Sequence, residues 1–155
     1  AFWNPAKPIE AGQELLYSYN MYWGSQPPIQ SNRARVVDTF TGIGGVIGKK
    51  RDYYSKRFVV DFAGGSLAML GKETEVNAVI TTSDGKVEIE SARPLHSIDG
   101  YRAMFDLAPP NGESKLINLR VYLEANGQPL TETWQYQWMS PEVDDRELHN
   151  AGHLK

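Results

Sequence analysis

Alternation of apolar and polar residues, repeated segment after segment, is the feature that most limits what this chain can become. A period of two puts successive side chains on opposite faces of a strand, and stretches with the 3.6-residue period of a helix are nearly absent. "LLYSYNMYW" places Leu15, Tyr17, Tyr19, Met21 and Trp23 on one face. "ARVVDTF" sets Ala34, Val36, Asp38 and Phe40 against Arg35, Val37 and Thr39, and "RFVVDF" sets Phe58, Val60 and Phe62 against Arg57, Val59 and Asp61. "VNAVITTS" and "KVEIES" follow. Asp84-Gly85 joins them as a hairpin, because that dipeptide adopts the positive φ angles a tight turn requires.

"YRAMFDL" aligns Tyr101, Ala103, Phe105 and Leu107, and "LINLRVYLEA" aligns Ile117, Leu119, Val121 and Leu123. Asn126-Gly127 then turns the chain into "LTETWQYQW", where Leu130, Glu132, Trp134, Tyr136 and Trp138 face away from Thr131, Thr133, Gln135 and Gln137. One apolar and one polar face mark a half-buried strand, which assigns Trp134 and Tyr136 to the core, together with Tyr17, Tyr19 and Met21. About eight antiparallel strands at this spacing predict an all-β sandwich. The proline-bearing stretches "SQPPIQ", "ARPL" and "APPNGES" fall between strands, where a missing N–H does no damage. A short helix is expected only in "SPEVDDRELHNAG", with Ser140 as N-cap, Pro141 in the first turn and Gly152 at its end.

At 155 residues the chain fits one domain with a substantial core, and 41% hydrophobic with 23% charged residues is a globular composition. A net charge of −3 argues against nucleic acid as a partner, and no apolar run is long enough to insert in a membrane. Without cysteine there is neither a disulfide framework nor thiolate chemistry. The opening "AFWNPAKP" puts Phe2 and Trp3 at the very start, which reads as a strand cut from something longer.

One stretch stands apart. "TFTGIGGVIGKKRDYYSKRF" gathers Lys49, Lys50, Arg51, Lys56 and Arg57 around Tyr53 and Tyr54, between two strands. It is not a phosphate cradle: Ile43 stands where the first glycine of a Walker loop belongs, and Lys50 where its hydroxyl belongs. The dinucleotide fingerprint fails at Ile47. Tyrosine rings flanked by cations suit a sugar, whose C–H faces pack on the rings while its hydroxyls take hydrogen bonds. A long, flexible connection explains the same residues almost as well.

No pair among Asp38, Asp52, Asp61, Asp106 and Glu132 is singled out as the two carboxylates of a glycosidase. His149 and His153 have helical ligand spacing, but Gly152 interrupts them and no third ligand is evident. Neither a catalytic residue, nor a metal site, nor a cofactor is expected.

Four motifs in order carry a resemblance: "AFWNPAKPIEAGQELLYSYNMYWG", "RVVDTFTGIGG", "KRFVVDFAGG" and "GQPLTETWQYQW". Over residues 1–138 the chain resembles the C-terminal domain of the periplasmic, osmoregulated glucan biosynthesis proteins of the G/D family, nearer the G branch, with 139–155 as a tail. The resemblance implies an immunoglobulin-like β-sandwich in a Gram-negative periplasm, beside a larger N-terminal domain that holds the cleft for β-1,2-glucan. It implies that this chain alone is no enzyme, since the catalytic acids of the hydrolase-like D members belong to the larger domain. The expected ligand-binding residues are Trp23 and, on a loop spanning 41–57 that completes or gates the glucan site, Lys49, Lys50, Arg51, Tyr53 and Tyr54. Two other readings stay open: an autonomous carbohydrate-binding module, and an interaction domain for a homodimer or for the glucan synthase.

Overall fold

The structure, a computed structural model, describes residues 6–25, 29, 31–71 and 73–146. It divides into two compact units, Ala1–Gln30 and Ser31–Lys155. The division falls at 30/31, and the last strand runs through Met139, past the 138/139 boundary suggested by the sequence.

In the second unit, eight strands form among the described residues: β1 (Arg35–Ile43), β2 (Lys56–Ala63), β3 (Asn77–Thr82), β4 (Lys86–Leu95), β5 (Gly100–Ala108), β6 (Leu116–Ala125), β7 (Gln128–Pro129) and β8 (Trp134–Met139). One sheet has the order β1-β2-β5-β4; in the other, β6 lies between β3 and the β7–β8 side. All the strand pairs are antiparallel. With β7 and β8 counted as one interrupted strand, this is the A-B-E-D and C-F-G arrangement of a constant-type immunoglobulin sandwich.

The core lies between the sheets, where alternate residues of β2 (Phe58, Val60, Phe62), β5 (Ala103, Phe105, Leu107) and β6 (Ile117, Leu119, Val121, Leu123) are buried. Phe58 is the hinge of this packing. Its ring stacks on Phe105 at 5.3 Å within its own sheet, and meets Trp134, Tyr136 and Trp138 of the facing sheet at 5.7–6.1 Å. An immunoglobulin domain without cysteine needs such a substitute for its inter-sheet disulfide, and truncating a buried phenylalanine of this kind costs about 3–5 kcal/mol.

Two irregularities fit the edge strand to both sheets. Ala34, just before β1, bridges in parallel to Thr131, donating to the Leu130 carbonyl at 3.0 Å and accepting from the Glu132 N–H at 2.9 Å. β1 then pairs with β2 in the opposite sheet, with a bulge between Val36 and Asp38. The bulge reverses the facing expected downstream. Thr39, opposite core residue Val60, accepts a 3.0 Å hydrogen bond from the Trp134 indole, while Phe40 turns outward with Val59.

Several sequence expectations need correction. Residues 13–23 form no strand, and Tyr17, Tyr19 and Met21 are exposed rather than buried. Alternation records a preference for one-sided burial, but a strand exists only where neighbours take its N–H and C=O groups, and no sheet partner is found among the described residues. The strand count of eight survives only because β7 was not foreseen. Asp84-Gly85 does reverse the chain, with Gly85 at φ +79°, yet β3 pairs with β6 and β4 with β5, so the turn links the two sheets instead of closing a hairpin. A bulge between Glu88 and Ser91, with Ile89 at φ +51°, bends β4 away. Asn126-Gly127, both at positive φ, closes the expected two-residue hairpin.

Trp134 is buried, but Tyr136, stacked on it at 5.2 Å, remains 39% exposed because β8 is an edge strand. Ser140 caps no helix. It extends the β6–β8 pairing, exchanging hydrogen bonds with Lys115 through backbone and hydroxyl, and among the described residues that follow, a single 3₁₀ turn forms at Val143–Asp145. Gly152, His149 and His153 lie outside the described residues.

Candidate functional site

The basic, tyrosine-bearing stretch proves to be the top of a long hairpin. β1 and β2 stay paired up to Ile43 and Lys56, which leaves residues 44–55 as the loop rather than 41–57. Its two ends are built differently.

At the root, Gly44 N–H donates to the Ser55 carbonyl at 2.7 Å, and Gly45 N–H donates to the Asp106 carboxylate at 2.7 Å. Arg57 grips the same carboxylate with two donors, at 2.7 and 3.0 Å, and reaches the Gly45 carbonyl at 2.7 Å. Arg57 and Asp106 are direct cross-strand partners of β2 and β5, on the outer face of the sheet. Asp106 is nevertheless 0% exposed. A buried carboxylate holding three donors is a fixed point, because releasing any donor leaves charge uncompensated in a dry place.

At the tip, Arg51 folds back. It donates to the Ser55 hydroxyl at 2.5 Å and to Glu88 at 3.4 Å, and its guanidinium lies 4.8 Å from the centroid of the Tyr53 ring. The Tyr53 hydroxyl donates to the same Glu88 oxygen at 2.8 Å, and Lys86 holds the other oxygen at 3.1 Å. The hydrogen bond to Glu88, then burial, pushes the Tyr53 hydroxyl above its ordinary value of 10.0. Burial alone would raise Glu88, but hydrogen bonds from Tyr53 and Lys86 and the charges of Lys86 and Arg51 outweigh it and hold Glu88 below 4.5.

Below the tip, a shallow cleft of about 500 Å³ opens between the loop (Asp52, Tyr53, Tyr54), the start of β4 (Lys86, Glu88), the end of β5 and the turn after it (Ala108, Pro109, Asn111) and the 3₁₀ turn with the residue that follows it (Val143, Arg146). Arg146 stiffens that last wall by donating to the carbonyls of Pro141 and Gly112 at 3.2 and 3.3 Å.

The expected site residues therefore separate. Arg51, Tyr53 and Tyr54 come together around Glu88 and the cleft. Lys49 and Lys50 stand exposed on the outer side of the tip, Lys50 3.3 Å from Asp52. Trp23 belongs to the other unit and is 90% exposed. Glu88, Asn111 and Arg146 carry no signal in the sequence, and Asp106 figures there only among the carboxylates from which no catalytic pair is singled out. The alternation in "KVEIES" does give Lys86 and Glu88 a common face, but their meeting with a loop more than thirty residues earlier depends on strand register, which one sequence does not encode. Among the described residues, no group of three or more acidic or histidine side chains could hold a metal ion. None of their helices is long and apolar enough to cross a membrane.

Comparison with known proteins gives this geometry its context. The family described as "Periplasmic glucan biosynthesis protein, MdoG" matches residues 1–138. The "Probable glucans biosynthesis protein D" of Shewanella oneidensis is 74% identical over all 155 residues, which span 29% of its length. The "Glucans biosynthesis protein D" of Xanthomonas axonopodis pv. citri is 54% identical over 151 residues, 96% of this chain and 28% of that protein. That of Stenotrophomonas maltophilia is 55% identical over 141 residues, 91% of this chain and 26% of that protein. These relatives carry the D name, where the sequence motifs had leaned to the G branch, and the chain spans under a third of their length. On both the matched span and the level of identity, the chain belongs to the periplasmic glucan biosynthesis protein family.

Proposed function

We propose that this chain works as the accessory domain of a periplasmic glucan biosynthesis protein, presenting loop 44–55 to the β-1,2-glucan handled by a larger partner domain. The observation that carries the reading is the construction of the loop. Its root is fixed by a buried ion pair while Lys49 and Lys50 stand exposed to solvent, where their ammonium groups can donate to hydroxyls even though Lys50 also meets Asp52. A mere connection has no need of such a brace, since long surface loops are tolerated at little thermodynamic cost. On this reading catalysis belongs to the larger domain, the location is the Gram-negative periplasm, and Trp23 is a second sugar contact.

The test uses the full-length protein with residues 46–53 replaced by a Gly-Ser linker that leaves the Asp106 brace intact. Loss of glucan binding or turnover with the fold preserved supports the reading, and an unimpaired protein refutes it. A rival reading, that the domain mediates association, rests on β1. Among the described residues no strand pairs with the outer edge of β1, and it exposes Val37, Phe40 and Ile43. It predicts concentration-dependent association abolished by Val37→Lys, with no effect of the loop replacement on glucan.

A further inference from the structure

The cleft under the loop tip has a chemical character of its own, which the loop lysines do not share. Its volume, about 500 Å³, is within the range of small-molecule sites. Its apolar surface comes from Pro109, Val143 and the half-exposed ring of Tyr53, which keeps open surface although Arg51 stacks on it. Its polar surface comes from Lys86, Glu88, Asn111, Asp52 and Arg146.

The cations are already engaged. Lys86 sits on Glu88 at 3.1 Å, and Arg146 is turned to two backbone carbonyls. Each carboxylate also has a cation beside it, Asp52 having Lys50 at 3.3 Å. A phosphate or carboxylate ligand needs unpaired positive charge or converging backbone N–H groups, and a cationic ligand needs an unpaired acid. This lining offers instead donors and acceptors in which each carboxylate is met by a cation and Arg146 is held on backbone carbonyls, next to ring and proline surface. That combination suits an uncharged polyhydroxylated ligand. Hydroxyls can enter hydrogen-bonded pairs as both donor and acceptor, and C–H faces pack against the negative face of an aromatic ring.

We propose that the cleft bounded by Tyr53, Tyr54, Glu88, Asn111 and Arg146 is a saccharide subsite, one that takes a segment of neutral gluco-oligosaccharide. The proposal rests on the glucan reading of the loop and deepens it, moving the principal contact from the exposed lysines to the cleft beneath them. It also gives the segment around Val143 and Arg146, which lies beyond the matched family span, a role as the far wall of the site. Glu88 then does two things at once: it holds the loop tip down and offers acceptor oxygens at the cleft rim.

The experiment is an amide NMR titration of the 155-residue chain with linear β-1,2-gluco-oligosaccharides, and separately with inorganic phosphate. Asn111→Trp is compared with the double variant Lys49→Ala/Lys50→Ala. Asn111 is exposed in a turn, so the larger side chain fills the cleft without entering the core. The expected result is saturable shifts at residues 52–54, 86–88, 108–111 and 143–146, with little response to phosphate. Binding should weaken at least about tenfold, equivalent to about 1.4 kcal/mol, in Asn111→Trp and change little in the lysine variant.

Shifts confined to 46–51 and abolished by the lysine variant would overturn the subsite while sparing the loop reading. Shifts from phosphate alone would overturn the ligand class. Absence of any shift at millimolar sugar would also overturn the subsite, leaving the loop reading to the linker replacement in the full-length protein.

Discussion

The two ends of loop 44–55 are held by similar chemistry in different surroundings. At the root, Asp106 is fully buried and receives Arg57 and the Gly45 N–H; at the tip, Glu88 receives Tyr53, Arg51 and Lys86 near solvent. Each is one carboxylate collecting several donors. At the root no water can replace a donor on the fully buried carboxylate, whereas at the tip Glu88 keeps some exposure and its partners Tyr53 and Lys86 are open to water, which competes for those two bonds. From this difference the hairpin is expected to behave as a braced stalk whose tip opens before its root. Local opening of this sort is the ordinary behaviour of binding loops on a stable scaffold.

The largest test strikes the root. Asp106→Ala leaves the Arg57 guanidinium and the Gly45 N–H without their acceptor, and breaking a buried pair from one side costs about 3–5 kcal/mol. Urea unfolding of the variant should show a loss of this size, together with loss of amide protection throughout 44–57. A variant that unfolds like the parent would mean that the two ends are equivalent and that the stalk is not braced.

A smaller effect of the same kind is expected at Gly44. A Cβ there would lie 2.2 Å from the Ser55 hydroxyl and 2.8 Å from the Asp106 carboxylate, so Gly44→Ala must push the brace apart. About 1–3 kcal/mol is the usual scale for such overpacking. Because both changes act on one network, the double variant with Asp106→Ala should fall well short of the sum of the two.

How much of this was visible beforehand depends on the range of the interaction. Strands whose buried face is continuous in sequence, such as Phe58-Val60-Phe62 and Ile117-Leu119-Val121-Leu123, could be read directly, and with them the sandwich. What failed was anything decided by the choice of neighbour. The alternating segment around Tyr17 and Tyr19 finds no sheet among the described residues, the Asp84-Gly85 turn joins separate sheets, and a one-residue bulge after Val36 turned Phe40 outward. The loop was recognised from its glycines, lysines and tyrosines, but its two anchors were not. Asp106 and Glu88 look like ordinary polar strand positions until the register sets them beside Arg57 and Tyr53. The same register cancels much of the positive charge that made the stretch conspicuous, since Arg51 and Arg57 are both turned to carboxylates.

The smallest effect is at the tip, and it sharpens the contrast most. Glu88→Gln removes the charge that Arg51 and Lys86 attend but keeps an acceptor for Tyr53, and a semi-exposed cluster of this kind is worth about 1 kcal/mol or less. Global unfolding should barely register the change, while protection factors at 50–54 fall and those at 44–45 and 56–57 hold. Acid should reproduce the variant. Glu88 titrates below its ordinary 4.5 in the folded chain, so its contribution is complete above that value and is lost as the pH falls through the lower folded value. Tip protection in the parent should therefore decline on acidification in that window, and in Glu88→Gln it should already be low and pH-independent. If root and tip lost protection together in either experiment, the loop would be a single cooperative unit and the stalk-and-tip distinction would fail.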